Sequence, residues 1–260
     1  MDVPTALAGL IVGALVGVTG VGGGALMTPL LVLLFGVAPH TAVGTDLLYA
    51  SITKVFGAAM HHNHGNVDWT VVKRLAWGSL PAAALTLLWM QLWGIDRVSG
   101  GVIINAVAIA LLITSLGMLF KEQLHSLSRK LQVTRSSRLR TLQAQLTVIA
   151  GVVLGVVVTL TSIGAGALGT VMLVYLYPAR LTPNKLVGTD LAHAIPLALL
   201  AGLGHLTLGN VDFMLLLNLL AGSIPGVLLG SLVSTRAPLQ FIRYAIALVL
   251  AAVATKMLLG

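Results

Sequence analysis

Two clusters of small residues, Gly22-Gly23-Gly24-Ala25 and Gly164-Ala165-Gly166-Ala167, each interrupt an apolar stretch and are followed by another apolar run. A helix beginning just after such a cluster presents unpaired backbone N–H groups and the positive end of its dipole. An anion is favoured there, and glycine lets it come close to the backbone. Hydroxyls at Thr19, Thr28, Thr161, Ser162 and Thr170 are available as further donors. Glycine in an apolar helix can also serve close helix packing. The regularly spaced Gly9, Gly13 and Gly17 fit that role, whereas the two clusters fit a substrate site.

Four ionisable residues stand inside otherwise apolar runs: Asp46, Lys54, Asp190 and His193. Such residues are costly in a membrane and are functional candidates by default. Asp46 and Asp190 belong to two identical VGTDL motifs. They are read either as proton carriers or gates, or as braces for helix ends with Thr45 and Thr189. Lys54 and His193 each lack a like residue at the matching place in the other half, where Ala198 and Tyr49 stand. A buried cation needs a partner, either an Asp or the anion itself. Histidine titrates near neutral pH, which suits proton coupling, so His193 joins the substrate-binding set and Asp46, Asp190 and Lys54 form a coupling or gating set. His61, His62 and His64 with Asp68 superficially resemble a metal site, but their place at a helix end before GNVD favours loop and capping chemistry. No metal and no cofactor is expected. Asp68 and Asp212 read as N-caps, Pro81 and Pro225 as kinks inside helices, and Trp69, Trp77, Trp89 and Trp93 as interface anchors.

The elements that must hold these residues are membrane helices. The 260 residues are 57% hydrophobic and 8% charged, with a mean hydropathy of +1.01, against about a quarter charged residues in soluble domains. Apolar segments are predicted at 5–19, 22–37, 40–62, 69–93 and 97–120, then at 144–161, 164–178, 183–206, 211–234 and 237–259. Residues 5–37 as one helix would be roughly 50 Å long, too long for a bilayer of ~30 Å without extreme tilt. The glycine cluster is therefore expected to break that stretch into two short helices meeting inside the membrane. The N-terminal MDVPT has no basic region, so the first segment is not expected to be a cleaved signal. The chain contains no Cys, which removes thiol chemistry from consideration.

Internal similarity organises the whole chain. GVGGGAL at 20–26 matches SIGAGAL at 162–168, VGTDL at 43–47 matches 187–191, and GNVD at 65–68 matches 209–212. The last two pairs share an offset of 144, which also aligns His61 with His205, Gly78-Ser79 with Gly222-Ser223, and Pro81 with Pro225. The division is a first membrane repeat at 1–120, a basic connector at 121–143 and a second repeat at 144–260, together one membrane domain. With an odd number of crossings per half the repeats are inverted. Lys73, Arg74, the connector's basic residues, Arg180, Lys185, Arg236 and Arg243 then face the cytoplasm, while Arg97 and Lys256 lie outside. The positive-inside rule favours that arrangement, with both termini outside. The fold class is thus an all-α polytopic membrane protein of two inverted repeats, each a broken or re-entrant short-helix pair plus three transmembrane helices. Inverted repeats with interrupted helices recur in secondary transporters.

GVGGGALMTPLL, AVGTDLLYAS and HHNHGNVDW, with their return in the second half, give the chain a form that resembles the TauE/SafE sulfite exporter family over essentially its full length. The resemblance implies a transporter, expected to be an exporter, that moves a small sulfur-containing anion such as sulfite or an organosulfonate across a bacterial inner membrane and is driven by an ion gradient. Its paired glycine-rich and GTD elements correspond to 20–25 with 162–167 and to 44–46 with 188–190. An anion channel, or a transporter for another small anion, is the competing reading. No constellation suited to catalysis is apparent in the spans, so an enzyme is not expected. The connector's charge is accounted for by orientation, so nucleic acid is not an expected partner. The expected partners are the anion and the lipid bilayer, and a homo-oligomer stays open.

Overall fold

The computed structural model describes residues 2–19, 24–60, 67–93, 100–120, 137–164, 166–177, 180–233 and 239–259. A backbone in hydrocarbon must satisfy its own polar groups, so apolar segments of this length fold as helices. Ten helices follow among the described residues: α1 (Val3–Thr19), α2 (Gly24–Leu34), α3 (Pro39–Met60), α4 (Trp69–Trp93), α5 (Gly100–Leu119), α6 (Ser137–Thr161), α7 (Ala167–Leu176), α8 (Pro183–Thr207), α9 (Phe213–Val233) and α10 (Leu239–Leu259). Stretches of α4, α6, α8 and α9 are long and apolar enough to cross a membrane, and α1, α5 and α10 hold shorter apolar runs. The chain is a multi-pass membrane protein. α2 and α7 have 11 and 10 residues, which is about 16 and 15 Å of helix, roughly half a bilayer.

Helix starts follow local chemistry. Pro39 and Pro183 occupy first helical positions, where a missing N–H costs nothing. Asp68 Oδ1 accepts from Val71 N at 3.3 Å and Asp212 Oδ1 from Leu215 N at 2.9 Å, so both cap the helices that follow them. Pro81 and Pro225 lie inside α4 and α9. α6 starts at Ser137, well before the expected segment start at 144. Its first residues, Ser-Arg-Leu-Arg-Thr-Leu-Gln, contain no Gly or Pro and several strong helix formers. The helix thus runs on into the C-terminal part of the basic connector.

Helix pairings come in interchangeable sets. α1 packs along α9 as α6 packs along α4, and α3 meets α9 as α8 meets α4. Two further contacts, α3 with α8 and α5 with α10, join helices at matching places in the two halves. Glycines bring the first set together backbone to backbone. A Cβ on Gly13 would lie 2.5 Å from the Ser223 carbonyl oxygen. One on Gly155 would overlap the Ser79 carbonyl, one on Gly9 that of Leu219, and one on Gly151 that of Leu75. From α4 and α9, Gly78 and Gly222 answer in the same way against Val148 and Ala6. Gly9, Gly13 and Gly17 are therefore packing residues, as the spacing suggests. The largest core cluster draws on α3, α4, α5, α6, α8 and α10, with Leu47, Val107, Leu111, Val158, Leu197 and Leu250 almost fully enclosed.

Candidate functional site

At the crossing of α3 and α8 the apolar interior gives way to a polar centre. Thr45, Asp46, Thr53, Lys54, Thr189, Asp190 and His193 are all buried on these two helices, as are Ser79 on α4, Ser223 on α9 and Ser162 in the α6–α7 break. Asp46 accepts a hydrogen bond from Thr28 Oγ1 of α2 at 2.5 Å. Its carboxyl also faces the Ser162 hydroxyl across the halves, outside hydrogen-bond geometry. Lys54 lies two turns beyond Asp46 on α3, within electrostatic reach of Asp46 and of Asp190 on α8. His193 Nε2 shares a hydrogen bond of 2.8 Å with Ser79 Oγ. At the matching place, Tyr49 stands beside Ser223 and Thr53, whose hydroxyls are 3.3 Å apart.

The α6–α7 break is shaped by backbone that only small residues adopt readily. α6 ends at Thr161, and Ser162 then takes φ 58, Gly164 φ 121 and Gly166 φ 143. Gly166 is the N-cap of α7 and supplies no side chain to cap it. Opening N–H groups of a helix have no partner from within it, and of those in α7 the Gly169 N–H donates back across the break to Gly164 O at 3.0 Å. Thr161 is not free to help, because Oγ1 donates to Val157 O at 2.6 Å and accepts from Ile163 N at 3.1 Å. Thr170 donates to Gly166 O, so its hydroxyl also serves the backbone of the break. Ser162 Oγ, Asp46 Oδ1, Tyr49 Oη and His193 Nδ1 are buried polar atoms that find no hydrogen-bond partner among the described residues. Buried polar groups are normally paired, so several orphans in one centre point to a ligand or to mobile protons.

The first break is described only in part. Thr19 ends α1 and Gly24 and Ala25 open α2, while Gly22 and Gly23 lie outside the described residues. Ala165 is likewise outside them, and Ala167 is the first residue of α7. His61, His62 and His64 also fall outside. What Asp46 does establish is a contact with both elements, through Thr28 of α2 and Ser162 of the second break. The carboxylate of Asp190 lies against Gly169, leaving no room for a Cβ there.

A family model described as sulfite exporter TauE/SafE matches residues 5–257. The chain belongs to the TauE/SafE sulfite exporter family. It is 45% identical to the "Probable membrane transporter protein YjnA" of Bacillus subtilis, over 96% of this chain and 98% of the relative. A second Bacillus subtilis relative, "Probable membrane transporter protein YdhB", is 29% identical over 91% of each chain. No solved structure matches significantly.

In this TauE/SafE member several site residues are ones that sequence reasoning passed over. Tyr49, Thr53, Ser79 and Ser223 read as ordinary residues of apolar helices. The signal that could have found them is the repeat itself, since Ser79 and Ser223 align and so do Tyr49 and His193. In the sequence Arg180 bears on topology only. It forms a bidentate ion pair with Asp68, Nε to Oδ2 at 2.6 Å and Nη2 to Oδ1 at 2.9 Å, at the mouth of α4.

Proposed function

We propose that this protein is a secondary transporter of a small sulfur-containing anion, such as sulfite or an organosulfonate, coupled to an ion gradient in a bacterial inner membrane. The observation that carries the reading is the α6–α7 break. Three positive-φ residues open a helix whose N-cap has no side chain, beside the Ser162 hydroxyl, which has no hydrogen-bond partner among the described residues. In a membrane interior such a terminus contributes roughly half a positive charge, enough to offset part of an anion's desolvation without a cluster of lysines. The family name favours sulfite, and the relatives' names favour a transporter.

Two inverted repeats would place the α1–α2 and α6–α7 breaks on opposite sides of one ligand. The paired helix contacts support that reading, as does the meeting of α3 with α8 and of α5 with α10, each helix with its own counterpart. Gly22 to Ala25 then complete the cradle from the first half, and His193 donates from the side. Positive-inside bias puts Lys73, Arg74, Arg180 and Lys185 in the cytoplasm and both termini outside.

The test is counterflow in proteoliposomes, with labelled sulfite, methanesulfonate, sulfate and chloride as separate probes. A transporter accumulates label transiently against its gradient when unlabelled anion is loaded inside, and the rate saturates. A channel does neither. Gly166→Val should abolish counterflow with the protein still folded in detergent, because its Cβ and branches fill the approach to the α7 terminus. Counterflow at the wild-type rate in Gly166→Val would move the site elsewhere.

A further inference from the structure

The charges of the polar centre do not suit an anion as they stand. α3 brings Asp46, Tyr49 and Lys54, and α8 brings Asp190 and His193. α2 contributes the Thr28 hydroxyl and the α6–α7 break the Ser162 hydroxyl. α4 and α9 present Ser79 and Ser223. α1, α5 and α9, which also pack on α3, carry no charged residue, and the arginines of α6 sit in its first turn, far from the Thr161 end. With both carboxylates ionised, Lys54 charged and His193 neutral, this centre would carry one net negative charge. A monoanion arriving there would make two, inside an apolar bundle.

Asp46 is the group placed to resolve this. One carboxyl oxygen accepts from Thr28, and the other, Oδ1, is fully buried with no hydrogen-bond partner among the described residues. That carboxyl faces Ser162, which opens the proposed cradle and whose own hydroxyl also has no hydrogen-bond partner among the described residues. An ionised Oδ1 is an acceptor only and repels an anion at this place. A protonated carboxyl is a donor, and it can give its hydrogen to an anion oxygen.

We infer that Asp46 holds a proton at Oδ1 whenever the anion is bound, so that transport is anion–proton symport. This rests on the transport reading above. The Oδ1–H bond forms with a proton taken from water on the side of entry as the anion enters, and it breaks as the anion leaves, the proton passing to water on the side of release. Charge in the centre is then the same loaded and empty, and one proton moves with each monoanion. Lys54 serves both carboxylates in the empty state and holds the remaining one in the loaded state.

Methanesulfonate and ethanesulfonate are suitable probes, because each stays a monoanion throughout the neutral range and any pH effect belongs to the protein. Counterflow with these and with sulfite comes first. If no probe exchanges, the transport reading fails and the inference with it. With a probe that exchanges, net uptake is followed in vesicles holding a pH-sensitive dye. The expected result is acidification of the lumen by one proton per monoanion, with a rate indifferent to an imposed membrane potential. Adding the probe to wild-type protein should also produce the infrared band of a protonated carboxyl. Asp46→Asn should lose that band and the proton movement, and Asp46→Glu should shift the band. If the Asp46→Asn protein does not fold, the wild-type dye and infrared readings together with the Asp46→Glu shift decide. Uptake that carries negative charge and leaves lumen pH unchanged would overturn the inference, as would a carboxyl band that Asp46→Glu leaves in place.

Discussion

The backbone N–H of Asp212 donates to Thr45 Oγ1 at 3.0 Å, tying the start of α9 to α3 in the other half. Its counterpart is the N–H of Asp68 donating to Thr189 Oγ1, also at 3.0 Å. The VGTDL and GNVD motifs that repeat along the chain are therefore one device used twice. The Thr of each motif holds the capping Asp of the opposite half, and the Asp of each motif enters the polar centre.

Because the two bonds are equivalent, removing either hydroxyl should cost the same. Thr45→Val and Thr189→Val are each expected to lower stability by about 1 kcal/mol, the usual net worth of a partly buried hydrogen bond. Thr→Ser at either position keeps the acceptor and should cost less than half of that. Chemical unfolding in detergent would measure it, and a difference above about 1 kcal/mol between the two Val variants would show that the halves do not share the device.

Backbone contacts at glycine make a sharper prediction. A Cβ at Gly78 or Gly222 would overlap the carbonyls of Val148 and Ala6, and these are helix backbone that cannot swing aside. Gly78→Ala and Gly222→Ala are expected to cost at least ~3 kcal/mol each, the upper range for overpacking. At Gly36, where φ is +63 and nothing lies within 4 Å, Ala should cost only about 1 kcal/mol from the left-handed backbone. Melting temperatures of the three variants in one detergent test the order. Equal losses would show that space is not what these glycines supply.

Ser162 separates function from stability. It holds φ 58, a region in which a residue with a Cβ is strained and glycine is not. Ser162→Gly should therefore be neutral or stabilising by up to ~1 kcal/mol. The same change removes a buried hydroxyl facing the proposed anion position, and hydrogen bonds to charged groups are worth about 1.5–3 kcal/mol. Weaker anion binding by tenfold or more in a protein that melts no earlier is the expected pattern. Unchanged affinity for every probe would remove Ser162 from the site.

How much of this was legible beforehand depends on which force set each feature. Helix bounds came from hydropathy, and α4 runs over the expected 69–93 because the Asp68 cap and the composition agree. Gly9 and Gly13 were legible because close packing of apolar helices demands small residues at helical spacing. Ser79 with His193, or Tyr49 beside Ser223, was not. A helix that is apolar toward lipid and toward the core gives little sign of its rotation, so which side chains turn inward is decided by packing across more than a hundred residues of chain. The repeat alignment carried that information in part, since each of these pairs joins positions that exchange between halves. Arg180 was hidden for a different reason. Its counterpart stretch, residues 36 to 38, is Gly-Val-Ala, so symmetry offered nothing to compare.

That asymmetry gives the last prediction. Arg180 clasps Asp68 with both carboxylate oxygens, and its guanidinium lies 5.8 Å over the Tyr177 ring. Tyr177 Oη in turn accepts from Arg74 at 3.1 Å and pairs with Thr147 at 2.8 Å. α4, α6 and the approach to α8 are thus tied at one mouth of the bundle, while Asp212 at the matching mouth faces no arginine in its counterpart stretch. Partial burial would raise the Asp68 carboxyl, but the Arg180 hydrogen bonds, the backbone N–H groups of Val71 and Thr70 and the guanidinium charge outweigh it and hold the group below the usual carboxylate range. A depressed carboxylate stabilises above its unfolded pKa of about 3.9, and that contribution is lost only as pH falls through the lower folded value. Any change in flux between pH 5 and 8 therefore originates elsewhere than Asp68. Because Arg180 is well exposed, the pair is worth about 1 kcal/mol at most, a shift of up to roughly fivefold in the open population. Leu186, buried beside Tyr177, can report it, since the chain has no cysteine of its own. Thiol labelling of Leu186→Cys should accelerate by up to about fivefold when Arg180→Ala is added, and should not change with Lys73→Ala. Identical labelling rates with and without Arg180 would mean that the ion pair does not hold this mouth closed.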